Sequence, residues 1–491
     1  MTPTTEGPAY SEKETSNLNR STISRRTFVA SAAPALAASS LASAESSAAP
    51  NIVLVIADQV RRDAISAYGL NPVQLTPNLD AMAGRGTLFR NMFTNQPLCS
   101  PSRACLFTGQ YPARNGVWRN TGNGVALSPN AATLATECRK AGFSTNYIGK
   151  WHLAEGAHGP VAAEDRGGFL NLWQASNELE LTSHPFQGDL YDSDGRAIHF
   201  QNEYRVDFLT RLATDFLSRA STATPFLLVV SYLEPHHQND EKRFVAPPGY
   251  AERYRNPAVP EDLRHLPGTW QQHLPSYYGC IRSVDEGFRR IRHELTRRGL
   301  DRRTIVVFVS DHGCHFMTRN TEYKRSAHDA SIRIPLLMEG PGFEGGREVR
   351  QFTRMVDLTP TLLEAAGLAV PSSMQGRSAM PLVAGRAEGW TDEVFIQLSE
   401  FWIGRALRTP KWTYVAVAPR ENGEYRPMRS ASRYFSFQLY DNAADPNQLV
   451  NLAGRQETRE VEKDLRERLA AAMQAAGDQG SELLACPYPY A

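Results

Sequence analysis

The sequence predicts an α/β fold: a large, mostly parallel central sheet flanked by helices, followed by a smaller C-terminal α+β subdomain. Short apolar runs recur at Asn51–Ala57 (NIVLVIA), 144–148, 225–232 (PFLLVVSY), 303–310 (RTIVVFVS) and 334–338, the pattern of strands buried on both faces. Helical periodicity fills the intervals around 131–141, 205–220, 275–299 and 357–367, as crossover helices between parallel strands would. Beyond about residue 385 the pattern changes to short aromatic-rich strands (VFIQL, KWTYVAV, FSFQLYD) and a final helix over about 455–476.

In chain order, residues 1–44 read as an export address. Arg25-Arg26 precede an Ala-rich run from Phe28 that closes on Ala42-Ser43-Ala44, a small-residue cleavage pattern. This is a twin-arginine signal, so the expected partner is the twin-arginine (Tat) machinery and the expected location periplasmic or extracellular. The run is too short and Ala/Ser-rich to be a stable membrane span. Residues 45–385 then form the expected catalytic domain, with Thr76 capping a helix that has Pro77 at its first position. Residues 386–491 form the C-terminal subdomain with a short antiparallel sheet and helix, beyond a Gly/Pro-rich stretch.

With 41% hydrophobic and 21% charged residues among 491, the composition is that of a globular enzyme-like protein. Residues 1–44 hold four of the 53 basic and three of the 52 acidic groups, leaving 49 of each. No global field then draws in nucleic acid, and an acidic substrate must be met by local cations. The six cysteines form no CxxC pair and no legible disulfide framework.

Ligands of open α/β sheets bind beyond the carboxyl ends of the strands. Here those ends deliver Asp58-Gln59, Lys150-Trp151-His152, Glu234-Pro235-His236-His237 and Asp311-His312-Gly313. Asp58 and Asp311 are hard oxygen ligands that Gln59 and His312 could complete, which favours Ca²⁺, or less so Mg²⁺, over zinc. Between them, Pro101 and Ser102 suit the start of a helix, placing Cys99 where free N–H groups favour an anion and depress a thiol pKa. From the residues alone, Cys99 is a reactive cysteine.

The run CSPSRACLFTG at 99–109 resembles the signature of the type I, formylglycine-dependent sulfatases of the alkaline phosphatase superfamily. The resemblance extends through Asp58-Gln59, GKWHL at 149–153, EPHHQND at 234–240, SDHG at 310–313, EYKRSAHDASIRIPLL at 322–337 and LYDNAADPNQLVNLA at 439–453. It implies an alkaline phosphatase-like fold and a formylglycine-generating enzyme that oxidises Cys99, its modification site. Arg103 would position the hydrated aldehyde, Lys150 and Lys324 would clamp sulfate oxygens, and His152 and His236 would handle protons. Asp58, Gln59, Asp311 and His312 would hold Ca²⁺. One hydroxyl of the hydrate would attack sulfur to give a covalent sulfo-enzyme while His236 protonates the leaving alcohol. The second hydroxyl, deprotonated by His152, would then expel sulfate, an exit closed to a serine ester.

Gln59 and His312 stand where many relatives carry Asp and Asn, which lowers the ligand charge. Cys105 reads as a small buried hydrophobe. His237, Asn239, Asp240, His315, Arg319, His328 and Asp329 are candidates for reading a sulfated saccharide or other sulfated small molecule, and Trp402 for stacking on a sugar face. Two alternatives remain: a phosphonate or phosphate ester hydrolase of the same superfamily, and an exported binding protein without catalysis. The complete set of Cys99, Arg103, Lys150, His152, His236 and Lys324 weighs against the second.

Overall fold

Five buried strands form the parallel centre of a twelve-stranded sheet, side by side in the order Thr304–Ser310, Asn51–Ala57, Phe226–Tyr232, Ser144–Lys150 and Leu172–Ser176. The computed structural model describes residues 49–420 and 426–487, so the expected export signal at 1–44 lies outside the described residues. All seven residues of Asn51–Ala57, Phe226–Tyr232 and Thr304–Ser310 are buried. That explains their unbroken Val, Ile and Leu content, because helices cover both faces of such strands.

The sheet is mixed at its flanks. Leu336–Glu339 runs antiparallel to Thr304–Ser310 and to Thr87–Phe93, and Gln187–Tyr191 runs antiparallel to Leu172–Ser176. The strand Thr87–Phe93 (TLFRNMF) escapes sequence reading because Arg90 and Asn91 interrupt its apolar run at half-buried positions.

Helices follow the predicted intervals with shifted ends: Leu134–Lys140, Arg205–Arg219, Trp270–Arg297 and Met355–Ala365. The third begins ahead of Pro275, which lies inside it. At Pro77–Arg85, Pro77 takes the first turn as expected, but Thr76 does not cap. Its hydroxyl donates to Asp80 Oδ1, while the free amides of Asn78 and Leu79 donate to Asp285 at 3.1 and 2.9 Å. A carboxylate distant in sequence thus does the work assigned to the adjacent threonine.

The second sheet has five strands, of which Val394–Ser399, Ile403–Arg408, Trp412–Val417 and Arg433–Asp441 are antiparallel. Helix Arg459–Ala476 buries Leu465, Leu469 and Met473 in the same apolar core that holds Ile52, Leu54, Phe395 and Tyr414. The two sheets therefore share packing across the Gly/Pro-rich stretch. No helix among the described residues is long and apolar enough to cross a membrane.

One glycine fixes the approach to the candidate site. Gly149 has φ +104°, and a Cβ there would stand 2.1 Å from the Ser231 carbonyl oxygen. Backbone on backbone cannot yield, so Gly149→Ala should destabilise the fold by at least ~3 kcal/mol in denaturant unfolding. A loss below ~1 kcal/mol would show that the two strands can part at no great cost.

Candidate functional site

Four of the five central strands end by delivering a titratable group to one point. Asp58 follows Asn51–Ala57, Lys150 closes Ser144–Lys150, Asp311 and His312 follow Thr304–Ser310, and His236 lies beyond Phe226–Tyr232. Cys99 is the first residue of helix Cys99–Thr108, two positions earlier than Pro101 suggests. Proline is tolerated in that first turn because its missing N–H would have no partner there. Leu98 ahead of it is extended and has no capping side chain, and Asn120 Oδ1 accepts from the Ser100 N–H at 3.3 Å.

Around the Cys99 sulfur stand Lys324 Nζ at 3.0 Å, His312 Nε2 at 3.3 Å and Asp58 Oδ1 at 3.8 Å. Lys324 Nζ also lies 3.1 Å from both His236 Nε2 and His312 Nε2. Arg103, one helical turn after Cys99, donates from Nε to Asp311 (3.1 Å), from Nη2 to Asp58 (3.3 Å), and from Nη1 to the Lys150 carbonyl and Ser231 Oγ. Lys150 Nζ contacts Asp58 and Glu180, each at 2.8 Å. The structure thus brings together Cys99, Arg103, Lys150, His236, Lys324, Asp58, Asp311 and His312. His152, at φ +59°, lies beside them with both ring nitrogens buried and unbonded, 3.8 Å from Glu180 and 4.0 Å from Glu178.

Opposed effects decide the charges. Burial raises the Cys99 thiol, yet Lys150, Lys324 and His312 together hold it well below its ordinary value. Burial and Cys99 would likewise raise Asp58, but Lys150, His236 and Lys324 hold its carboxyl below the usual carboxylate range. Asp311 moves the other way, raised by burial and by the like charge of Asp58. Glu180 is drawn down to about 2, because Lys150 and His152 outweigh its burial.

Ligand atoms of Asp58, Cys99, Asp311 and His312, all buried, lie within 4.8 Å of one another. Gln59, on left-handed backbone (φ +72°), joins them through its backbone N–H, which donates to Asp311 Oδ1 at 3.2 Å, while its side-chain nitrogen lies 3.6 Å from Cys314 Sγ. Its Oε1 is buried with no hydrogen-bond partner. Two buried carboxylates and an imidazole, with a buried unbonded acceptor on the residue that follows Asp58, suit a hard divalent cation, which would also relieve the Asp58–Asp311 repulsion.

The proposed substrate readers divide. His237 stacks on His236 with ring centroids 4.7 Å apart, and burial with His236 and Lys324 draws its pKa down to about 2. Asn239 and Asp240 are exposed. His315 is buried with Nε2 3.0 Å from the Lys324 carbonyl oxygen, so it supports that lysine's loop. His328 is buried against the Tyr440 hydroxyl at 3.1 Å. Arg319 and Asp329 turn away from Cys99: Arg319 donates to the carbonyls of Asn447 and Gln448, and Asp329 pairs with Arg333 and Arg408. Trp402 packs its ring on Phe437, with centroids 4.7 Å apart. Sequence reading missed Glu180 and Ser231. ELELT gives no motif to flag Glu180, and Ser231 lies inside an apolar strand.

Comparison with known proteins places this geometry in context. The family model described as Sulfatase matches residues 50–368, and one described as N-sulphoglucosamine sulphohydrolase, C-terminal, matches 321–475. An ulvan-active sulfatase of Formosa agariphila is 28% identical over 445 residues, covering 88% of this chain and 82% of that protein. The solved structure of a putative sulfatase from Bacteroides fragilis is 25% identical with TM-score 0.75, over 90% of this chain and 98% of that one. A Bacteroides thetaiotaomicron structure, from work on the metabolism of multiple glycosaminoglycans, shares the fold with TM-score 0.76 at 24% identity, covering 88% and 97%.

The charges around Cys99 have a spectroscopic consequence. In protein retaining the cysteine, the ultraviolet thiolate signal lost in Cys99→Ala should titrate well below about pH 8.5, and Lys324→Ala should move its midpoint upward. A midpoint at or above about 8.5 in the unmutated chain would contradict these electrostatics.

Proposed function

The chain belongs to the sulfatase family and is a sulfuric ester hydrolase; from that premise we propose that it is exported and removes sulfate from carbohydrates, using a formylglycine hydrate made from Cys99. The observation that carries the reading is the position of Cys99 Sγ, 3.0 Å from Lys324 Nζ and 3.3 Å from His312 Nε2 at a helix start. That sulfur marks where the oxygens of the hydrate would stand. The hydrate supplies a nucleophilic hydroxyl and a second hydroxyl through which the sulfated enzyme can release its product.

Asp58, Gln59, Asp311 and His312 would hold Ca²⁺, ahead of Mg²⁺, and its charge would offset that on the sulfuryl oxygens. Lys150 and Lys324 bind those oxygens from either side, with Lys150 fixed by Asp58 and Glu180. Arg103 holds the two carboxylates and the start of the Lys150 loop in register. His236, whose Nδ1 lies 2.7 Å from the His237 carbonyl oxygen, presents Nε2 to the leaving alcohol as proton donor. His152, with no bonded nitrogen, accepts the proton of the second hydroxyl.

The ulvan-active relative supports a saccharide substrate, and the paired arginines before the Ala-rich run support export by the twin-arginine route after a formylglycine-generating enzyme has acted. A phosphonate or phosphate ester hydrolase could use the same charges, so a direct comparison decides. Aryl sulfate should be cleaved at least ~10-fold faster than aryl phosphonate, and the reverse order would replace this reading.

Loss of the proton donor should depend on the leaving group. His236→Ala should slow a sugar sulfate by ~100-fold or more, and nitrophenyl sulfate, whose leaving group needs little protonation, by much less. Equal losses on both would remove His236 from that role. A calcium chelator should abolish turnover until Ca²⁺ is restored; full activity after exhaustive chelation would argue against the metal assignment.

A further inference from the structure

Arg319 and Asp329, which the sequence offers as substrate readers, open instead into a separate cavity of about 370 Å³. None of Cys99, Arg103, Lys150, His152, His236 or Lys324 lines it. Five arginines do: Arg61, Arg62, Arg264, Arg319 and Arg333. Acidic groups answer only some of them. Arg61 pairs with Asp63 at 2.6 Å and Asp262 at 2.7 Å, while Asp329 is shared between Arg333 at 3.3 Å and Arg408 at 2.8 Å. Glu261 is exposed.

Among the described residues, Arg62, Arg264 and Arg319 form no ion pair. Arg62 donates only to the Arg90 carbonyl, at 3.0 Å, and Arg319 only to the carbonyls of Gln448 and Asn447. Arg319 Nε is buried without a partner. Burial draws the Arg62 and Arg319 guanidiniums down from their ordinary pKa, outweighing the opposing pull of Asp329 and Asp63 on the first and of Asp262 and Asp445 on the second. Half-buried cations that form no ion pair and keep donors unused are poised for an oxyanion. The cavity's size exceeds what a bare anion fills and falls in the range of sites for sugar-sized molecules. Apolar surface is also present, since Leu70, half exposed at 50%, lines it with Pro72 and Val259.

We propose that this cavity is a second binding site, outside the cluster around Cys99, for an anionic saccharide unit whose carboxylate or sulfate group is held by Arg62 and Arg319. The saccharide part rests on the carbohydrate substrate proposed above, whereas the oxyanion part stands on the unpaired arginines alone. Such a site would let one unit of a charged chain be held while another is desulfated. It would also concentrate an anionic polymer on a protein whose charges otherwise balance.

The test is equilibrium binding to full-length Cys99→Ser protein, which turns nothing over. Glucuronate, glucose and inorganic sulfate are the probes. Glucuronate should bind saturably and glucose should not. Arg62→Gln with Arg319→Gln should weaken glucuronate at least 10-fold, and Lys324→Ala should leave it unchanged. If the double variant unfolds, Arg62→Gln alone, which gives up a single bond to Arg90, should shift binding in the same direction. Absent glucuronate binding, or loss only in Lys324→Ala, would overturn the site. Displacement of glucuronate by equimolar inorganic sulfate would reassign it to a free anion and overturn the saccharide part. Because glucuronate carries no sulfate ester, failure here leaves the hydrolase reading intact, and failure of hydrolysis leaves this result readable.

Discussion

Two carboxylates, Asp58 and Asp311, lie fully buried at the ends of adjacent strands, and the site depends on their compensation. Taking such charges out of water costs several kcal/mol each unless partners and hydrogen bonds make up the difference. Arg103 is the partner common to both, and its remaining donors reach the Lys150 carbonyl and Ser231 Oγ. One guanidinium therefore ties the ends of four parallel strands to the helix that carries Cys99. Lys150 adds a second cation to Asp58 and passes the network on to Glu180. Burial and the repulsion left between the two carboxylates raise Asp311, and that repulsion is what a divalent cation would relieve.

From that balance follows the division between scaffold and chemistry. Arg103 is fully enclosed, with Nε and both terminal nitrogens bonded, as a group that holds geometry should be. His152 and Gln59 keep buried atoms unbonded, a cost that a ligand or ion at this cluster would offset. The arginine-lined cavity shows the same signature with the opposite sign of charge. There the incomplete pairing involves three cations rather than an acceptor and an imidazole.

Much of this was legible in the sequence, because parallel strands buried on both faces leave unbroken apolar runs and their carboxyl ends are where polar residues resume. Asp58, Lys150, His236 and Asp311 could be found that way without any knowledge of pairing. The strand Thr87–Phe93 could not, since Arg90 and Asn91 break its pattern. Long-range partnerships were also invisible: Asp285 capping a helix about two hundred residues earlier, and Glu180 answering Lys150 from a segment with no motif. Proximity in sequence misled where a loop presents alternate residues to opposite sides. Lys324 faces Cys99, while Arg319 faces Asn447 and Gln448 in the loop after strand Arg433–Asp441. The fold class depends on periodicity and survives such errors; assignments of substrate contacts depend on side-chain direction and do not.

The claim on which the account turns is that residue 99 works as an aldehyde, with the surrounding cations serving its hydrate. Mass spectrometry of the peptide spanning Cys99, taken from protein purified in an active state, tests it directly. The account predicts a mass corresponding to cysteine converted to formylglycine, in a fraction that rises with specific activity across preparations. An unmodified thiol throughout fully active protein would contradict it.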